Sequence, residues 1–233
     1  MKRIAIGGAA AAIAIGVAVG GTALAASGSN GEQAKAGGTY ELTIENLTTG
    51  QPLAPPVLVK HTKRATVWQP RQIASNAVAL LAEDANLPVA ISALGKAPGV
   101  RMAKAGVDAG ATEPAPIPPG ASQTYTLSGK RGHYLSLVSM LVNTNDVFTG
   151  LRRVKLGRGQ TRVYMARSYD AGTEVNNQLA SHIPGPVGGN AGVREPEGNV
   201  IRRSPGLTPG VGDIPVDKIN WSGPVAKITL AKV

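Results

Sequence analysis

The 233-residue sequence contains no cysteine, few aromatic residues and few acids. Without cysteine there are no disulfides, thiolate metal sites or thiol nucleophiles, so stability must come from packing or from a bound ion. Aromatic residues make up 3% of the chain, with two Trp, five Tyr and one Phe. Base-stacking nucleic-acid platforms and sugar-binding clefts need more aromatic surface than this, which disfavours both classes.

The first residues have the pattern of an export signal. "MKR" precedes the apolar run "IAIGGAAAAIAIGVAVGGTALAA", which ends in small residues. This predicts a signal peptide over 1–25, a flexible tether over 26–38 and one domain over 39–233. The Ala- and Gly-rich run is a weak membrane anchor, and no later segment is apolar enough to span a bilayer. The protein is therefore expected in the periplasm, the cell envelope or the medium, and not as a transmembrane protein once the signal is removed.

Alternating apolar and polar residues dominate the rest of the chain. "YELTIENLT" alternates with period two, as do "SQTYTLSG", "HYLSLVSMLV", "TRVYMARSY" and the terminal "GPVAKITLAKV". This period is typical of half-buried strands. The short apolar stretch "PPVLVKH" adds another strand, and "GKRG" between two of the strands predicts a hairpin turn. The fold class predicted is mainly β, an antiparallel β-sandwich with one inserted helix and long loops.

One segment changes period. In "QPRQIASNAVALLAED", Ile73, Ala77, Leu80 and Leu81 recur at helical spacing, which predicts the longest helix of the chain, ending near Asp84. "NLPVAISALGKAPGV" is expected to hold a further short helical turn. Two stretches rich in Gly and Pro, 103–121 and 176–220, are predicted to be irregular.

Three acids stand out in a chain with formal charge +10. Asp146 follows one predicted strand, and Asp170 and Glu174 follow another around Gly172. If these strands are neighbours, the three carboxylates meet at one edge and supply the oxygen ligands that calcium prefers, with the glycine allowing the backbone to bend. The alternative is that Asp146 and Asp170 cap turns and Glu174 is solvated. Spacing alone leaves both open.

The motifs "SMLVNTNDVFTGL", "YDAGTEVNN" and "WSGPVAKITLAKV", in that order, resemble the spondin N-terminal domain. The opening "YELTIENLTTGQPLAPPVLVKH" is similar to the start of bacterial members of that family. The resemblance implies an extracellular sandwich like C2 domains, with calcium held by Asp146, Asp170 and Glu174. Two positions differ from the family pattern: Glu174 stands where animal members tend to have Asp, and Val147 replaces a frequent aromatic residue. The animal disulfides have no counterpart.

Other catalytic signatures are weak. The three histidines, His61, His133 and His182, lie in separate segments without a metal-binding spacing, and partly exposed positions at strand ends are expected for His61 and His133. No G-x-S-x-G nucleophile motif occurs, so Ser136 and Ser139 are expected to pack or hydrogen-bond within their strand.

Basic residues form separate clusters at 60–64, 129–133, 151–162 and 201–203. Such clusters attract anionic envelope polymers or lipid headgroups. Lysines at strand edges also prevent edge-to-edge aggregation, and this role explains scattered cations equally well. Nucleic acid is not an expected partner of an exported protein, and a protein partner cannot be named from the sequence.

The function expected is therefore an exported, non-enzymatic, calcium-binding module that adheres to a surface or partner. An envelope polysaccharide hydrolase using the same acids is the alternative, because paired carboxylates also serve glycoside hydrolysis. A structural module whose acids only form turns is the third possibility.

Overall fold

Antiparallel strands make up most of the regular structure. A computed structural model describes residues 37–157, 159–189 and 193–233. Its ten strands are β1 (Gly37–Asn46), β2 (Val57–His61), β3 (Val100–Ala105), β4 (Ser122–Lys130), β5 (Tyr134–Met140), β6 (Val147–Thr149), β7 (Val154–Lys155), β8 (Arg162–Asp170), β9 (Arg202–Arg203) and β10 (Pro224–Lys232). Three helices lie in the same part of the chain: α1 (Asn76–Asp84), α2 (Leu87–Lys96) and α3 (Val216–Ile219).

The strands form one sheet in the order β3-β2-β5-β6-β8-β10-β1-β4, while β7 pairs with β5 and β9 with β8. Every pairing is antiparallel. In β1, Tyr40, Leu42 and Ile44 are buried while Glu41 is exposed, as the alternating sequence predicts. The mainly β, antiparallel class predicted from the sequence is thus confirmed.

The sheet is curled, so that its two end strands approach each other. Lys104 in β3 donates from Nζ to the carbonyl of Thr126 in β4 over 3.3 Å. Just beyond β3, the amide of Ala109 donates to the carbonyl of Thr124 over 2.9 Å. Lys60 in β2 reaches the carbonyl of Ser128 over 3.0 Å. Because of this curl, inward-facing side chains from both halves of the sheet share one apolar core.

A second core lies on the other face of β2 and β5. Val59 in β2 and Val138 in β5 belong to the same buried cluster as Val78 and Leu81 of α1. Trp68 also belongs to this cluster, and its indole Nε1 donates to the carbonyl of Leu137 over 3.2 Å. The two longer helices therefore cover the outer face of this half of the sheet.

The helical prediction was partly wrong. The helix α1 begins only at Asn76, because the side chain of Ser75 caps it by accepting from the amide of Val78. Ile73 lies before the helix and is 73% exposed, so it is not part of the helical apolar face. The expected short turn after α1 is the ten-residue helix α2, one residue longer than α1. The chain therefore has more helix than the single insertion expected.

The predicted strands are present, and the structure adds short ones. β6, β7 and β9 have two or three residues each, too few for a periodic pattern. β3 extends into the stretch expected to be irregular from 103, and β1 begins at Gly37, within the predicted tether. The predicted signal peptide and residues 26–36 of the tether lie outside the described residues.

His61 corrects the expectation of a partly exposed position. Its side chain is fully buried, with Nδ1 2.8 Å from the carbonyl of Thr62 and Nε2 2.9 Å from Ser136 Oγ. Because Nδ1 faces a carbonyl it must donate, so Nε2 of the neutral ring accepts from the Ser136 hydroxyl. Ser136 Oγ in turn accepts from the amide of Arg153. Ser139 donates to the carbonyl of Ala54, and both serines thus bond within the fold as predicted.

Candidate functional site

Two of the three acids are adjacent because β6 pairs with the end of β8. Val147, which follows Asp146, is the register partner of Asp170, the last residue of β8. The carbonyl of Asp146 also accepts a hydrogen bond from the amide of Ala171 over 3.1 Å. The two acidic segments therefore lie side by side, as the sequence argument required, although the strand that joins them was not predicted.

Asp146 is fully buried and only half of its carboxylate is bonded. Oδ2 accepts from the amide of Thr173 over 2.8 Å, from its hydroxyl over 3.2 Å and from the amide of Glu174 over 3.0 Å. Oδ1 accepts no hydrogen bond from any described residue. Burial and the negative charge of Asp170 raise the pKa of Asp146 to about 7, against the lowering effect of these bonds. A cation beside Oδ1 would favour its ionised form.

Asp170 forms a turn and an ion pair. Its Oδ1 accepts from the amide of Gly172 over 2.7 Å, and its Oδ2 accepts from Asn176 Nδ2 over 2.7 Å. Arg202 Nη2 lies 3.0 Å from the same Oδ2. Burial raises the pKa of Asp170, and the charge of Arg202 opposes that shift. Gly172 has φ +71°, so the predicted need for a glycine at this bend is confirmed.

Glu174 is buried, which excludes the solvated position considered for it. Its side chain is 1% exposed, and its Oε1 lies 2.6 Å from Arg194 Nε. Neither carboxylate oxygen makes a well-aligned hydrogen bond with a described residue. Burial raises the pKa of Glu174 to about 8. The positive charge of Arg194 opposes this shift, and the negative charges of Glu83 and Asp146 add to it.

Two arginines therefore belong to the site. Arg202 lies in the basic cluster 201–203, but its pairing with Asp170 was not predicted, and Arg194 was not singled out. Arg194 pairs with Glu83 Oε2 at 3.0 Å and with Asp84, both at the end of α1, in addition to Glu174. Arg202 in β9 also pairs with Glu197 at 2.8 Å. Both arginines come from the segment 176–220, where no local periodicity indicates which distant acid each side chain reaches.

The site has the chemistry of a hard-cation site without its full geometry. Buried carboxylate oxygens without hydrogen bonds, on Asp146 and Glu174, are the donors that calcium prefers. Within the described ranges, however, no three His, Asp or Glu side chains are arranged to hold a metal ion. The guanidinium groups of Arg194 and Arg202 supply the positive charge that an ion would otherwise provide.

Comparison with known proteins does not identify a family for this chain. No protein-family model matches the chain, and no curated protein sequence matches it. The spondin resemblance therefore stays a prediction. Over the part of the chain that the structure describes, none of the helices has the length and apolar character needed to cross a membrane.

Proposed function

We propose that this chain is an exported, non-enzymatic β-sandwich module of the spondin type that binds calcium and adheres to an anionic surface or partner. The observation that carries the proposal is the buried, unbonded Oδ1 of Asp146, which directly precedes the register partner of Asp170. Burying ionised carboxylates close together is costly unless a positive charge compensates for it. Glu174, 1% exposed and on the same loop, completes the proposed ligand set.

The sandwich is supported by how the two halves of the sheet share their core. Side chains from β1, β4 and β10, such as Leu42, Leu127 and Ile228, belong to one buried cluster with Leu58 from β2 and Leu137 from β5. Two layers facing each other across a common apolar interior are the defining arrangement of a sandwich. The short strand β6 then connects one layer to the other.

Calcium and the two arginines compete in this proposal. A bound ion would neutralise the carboxylates of Asp146, Asp170 and Glu174 and tie their two segments together. Arg194 and Arg202 already offset part of that charge, so the affinity depends on how readily they yield their carboxylates. This predicts a weaker site than one built from acids alone.

Calorimetric titration of resin-demetallated protein with calcium tests the proposal, with magnesium as the reference ion. Heat should be released or absorbed with calcium, and thermal melting should shift upward. Asp146→Asn should abolish both effects, whereas Glu41→Gln, at an exposed position in β1, should leave them unchanged. The absence of heat together with an unchanged melting temperature in the wild type would refute calcium binding.

The raised pKa values of Asp146 and Glu174 are the observation that supports the second candidate, the envelope polysaccharide hydrolase. Carboxyl groups that hold a proton near neutral pH are suited to general acid catalysis. Incubation with cell-wall and soluble polysaccharides, followed by reducing-end analysis, separates the two functions. Product that forms without metal and is lost in Glu174→Gln would favour the hydrolase.

A further inference from the structure

A cavity of about 490 Å³ lies between the β4–β5 turn and the end of β7, in a region formed by neither acidic segment. Arg131 and His133 line it from the turn, Tyr134 from the start of β5, and Lys155 and Gly157 from the far side. Its volume is within the range of small-molecule sites, so it can accept more than a single inorganic ion.

Backbone pairing fixes the two sides of this cavity. Tyr134 is the register partner of Lys155, and the amide of Leu156 donates to the carbonyl of His133 over 2.8 Å. Gly157 has φ +92° and its backbone lies against that of Arg131, where an added Cβ would come within 2.7 Å of the Arg131 Cα. A residue with a side chain would push the two walls apart, so the close approach requires glycine.

The charge of the cavity is positive and uncompensated. Arg131 and Lys155 line it, and neither forms a salt bridge with any acid in the described ranges. Burial and the charges of Lys60, Lys130 and Arg101 lower the pKa of His133, which places three more cations near it. A group of like charges without acids favours a bound anion.

Arginine and lysine are the usual phosphate-binding side chains, and a phosphate group matches the charge of Arg131 and Lys155 in this cavity. His133 lines the same cavity, and its Nδ1 is buried with no hydrogen-bond partner among the described residues. Rotation of the imidazole ring toward the cavity would give this nitrogen the partner that buried polar atoms normally have.

We propose that this cavity binds a phosphate group of an extended phosphodiester polymer that carries no bases, such as a polyol phosphate. The proposal deepens the proposed function, on which it rests, by giving the anionic partner a site and a chemistry. Cations near His133 that do not line the cavity, Lys60, Lys130 and Arg101, would meet neighbouring phosphates of the same polymer.

Two observations favour such a polymer over a membrane or a nucleic acid. The exposed large apolar side chains of the described residues, such as Val163 and Met165, lie outside the cavity and its turn, so none there is placed to enter a bilayer. The ring of Tyr134 is already engaged, by His61 at 5.9 Å and by the guanidinium of Arg153 at 5.7 Å, which leaves it a poor platform for a base.

The test is fluorescence anisotropy with labelled oligo(glycerol phosphate) on resin-demetallated protein, without a chelator, since chelators are themselves polyanions. Glycerol 1-phosphate and inorganic phosphate serve as competitors. The oligomer should bind at least about tenfold more tightly than the monomer, through simultaneous contacts. Equal affinity for the oligomer and for inorganic phosphate would contradict the proposal that the ligand is a polymer.

The double variant Arg131→Gln/Lys155→Gln should weaken oligomer binding about tenfold or more, since two charge-assisted contacts are lost. The matched control, Arg167→Gln/Lys218→Gln, removes the same charge at exposed positions that do not line the cavity and should change affinity less than about twofold. Thermal melting of both variants checks folding. Equal losses in both would contradict a defined site.

Two further probes decide between sources of phosphate. Vesicles containing phosphatidylglycerol should not capture more protein than neutral vesicles, and oligo(dT) of equal charge should compete poorly. Capture by anionic vesicles without oligomer binding would show that the ligand is a membrane surface and not a polymer. Equal competition by oligo(dT) would show that the site does not distinguish a polymer without bases from a nucleic acid. Because no calcium is present, failure here leaves calcium binding intact, and loss of calcium binding leaves this site intact.

Discussion

The Oδ2 atom of Asp146 accepts a hydrogen bond from the backbone amide of Glu174 over 3.0 Å, although the residues are 28 positions apart in the chain. The bond fixes the start of one acidic segment against the turn of the other. It also brings the charge of Asp146 close enough to raise the pKa of Glu174. The cluster thus combines a favourable hydrogen bond to the backbone with unfavourable repulsion between two buried carboxylates.

Removing Arg194 should weaken the metal-free protein and strengthen its response to calcium. At pH 9, above the pKa of about 8 of Glu174, Arg194→Gln leaves this ionised carboxylate, 1% exposed, without its counter-charge, which should cost about 3 kcal/mol of unfolding free energy. The same change removes the competitor for that carboxylate, so calcium should raise the melting temperature more than in the wild type. Urea unfolding and thermal melting with and without calcium measure both effects.

Arg152→Gln is the control for Arg194→Gln, because Arg152 is exposed and takes part in no ion pair of the described residues. It should change the unfolding free energy by no more than about 0.5 kcal/mol and leave the calcium-induced rise in melting temperature as in the wild type. A variant at Arg194 that is as stable as the wild type, with the same response to calcium, would show that the arginine does not compete for this site.

Gly172→Ala tests the bend between Asp170 and Glu174. A Cβ there would lie 2.7 Å from the carbonyl carbon and oxygen of Asn199, and φ is +71°. We expect a loss of more than about 2 kcal/mol, from backbone strain and steric overlap together. Gly189→Ala has the same φ of +71° with no atom within 4 Å of the new Cβ, and should lose only about 1 kcal/mol. Equal losses in chemical denaturation would show that the overlap at Gly172 is relieved at no cost.

The contribution of His61 to stability should be lost as the pH drops below about 6.5. Burial lowers the pKa of His61 in the folded protein, so the unfolded chain takes up a proton that the folded imidazole refuses. Stability is therefore full above the unfolded pKa of about 6.5 and declines below it, by up to about 1.4 kcal/mol per pH unit from this residue. The raised pKa values of Asp146 and Glu174 act in the opposite direction over this range, so the effect is measured as a difference between two proteins. Denaturant unfolding at pH 8 and pH 5 should show that His61→Gln loses less stability on acidification, or gains more, than the wild type.

If His61→Gln does not fold, NMR titration of the wild type gives the same answer. The imidazole of His61 should remain neutral below pH 6.5, with its proton on Nδ1 facing the carbonyl of Thr62. An imidazolium spectrum at pH 6.5 would contradict the prediction.

Tyr40→Phe tests the hydroxyl that holds the cavity wall. Tyr40 is 1% exposed, and its hydroxyl accepts a hydrogen bond from the amide of Gly157 over 2.6 Å. Phenylalanine leaves this amide without its acceptor, which should cost about 1–2 kcal/mol. Tyr125→Phe is a partial control, since that hydroxyl bonds the side chain of Gln123 rather than the backbone, and should cost less. Thermal melting compares the two variants. Equal losses of stability would show that the hydrogen bond from the Gly157 amide contributes no more than the side-chain bond of Tyr125.

Sequence patterns were informative where the period is long enough to be counted. The nine residues of β4 and the nine of β10 alternate clearly, and both strands were predicted. The three residues of β6 contain no countable period, yet this strand places Asp146 beside Asp170. From the sequence, the acids could therefore be expected to lie close together only on the condition that the strands before them are neighbours.

The ion pairs could not be predicted for a related reason. Arg194 reaches Glu83 across 111 positions of the chain, and a pair so distant leaves no periodic or local trace. Burial at strand ends is similarly invisible: His61 looks like a strand terminus, but pairing of β2 with both β3 and β5 encloses it. Ser75, by contrast, is a readable signal, since a serine before an apolar helical run is a common N-cap.

The lysine contacts between the ends of the sheet have a consequence for association between molecules. Lys60 and Lys104 donate to carbonyl groups of Ser128 and Thr126 on the outer side of the last strand, where another chain would otherwise add. Together with the amide of Ala109, which donates to the carbonyl of Thr124, these two ammonium groups cover the edge of β4. Acetylating the two lysines would remove two of these contacts and leave the carbonyl groups of Ser128 and Thr126 free to accept hydrogen bonds from the amide groups of another chain.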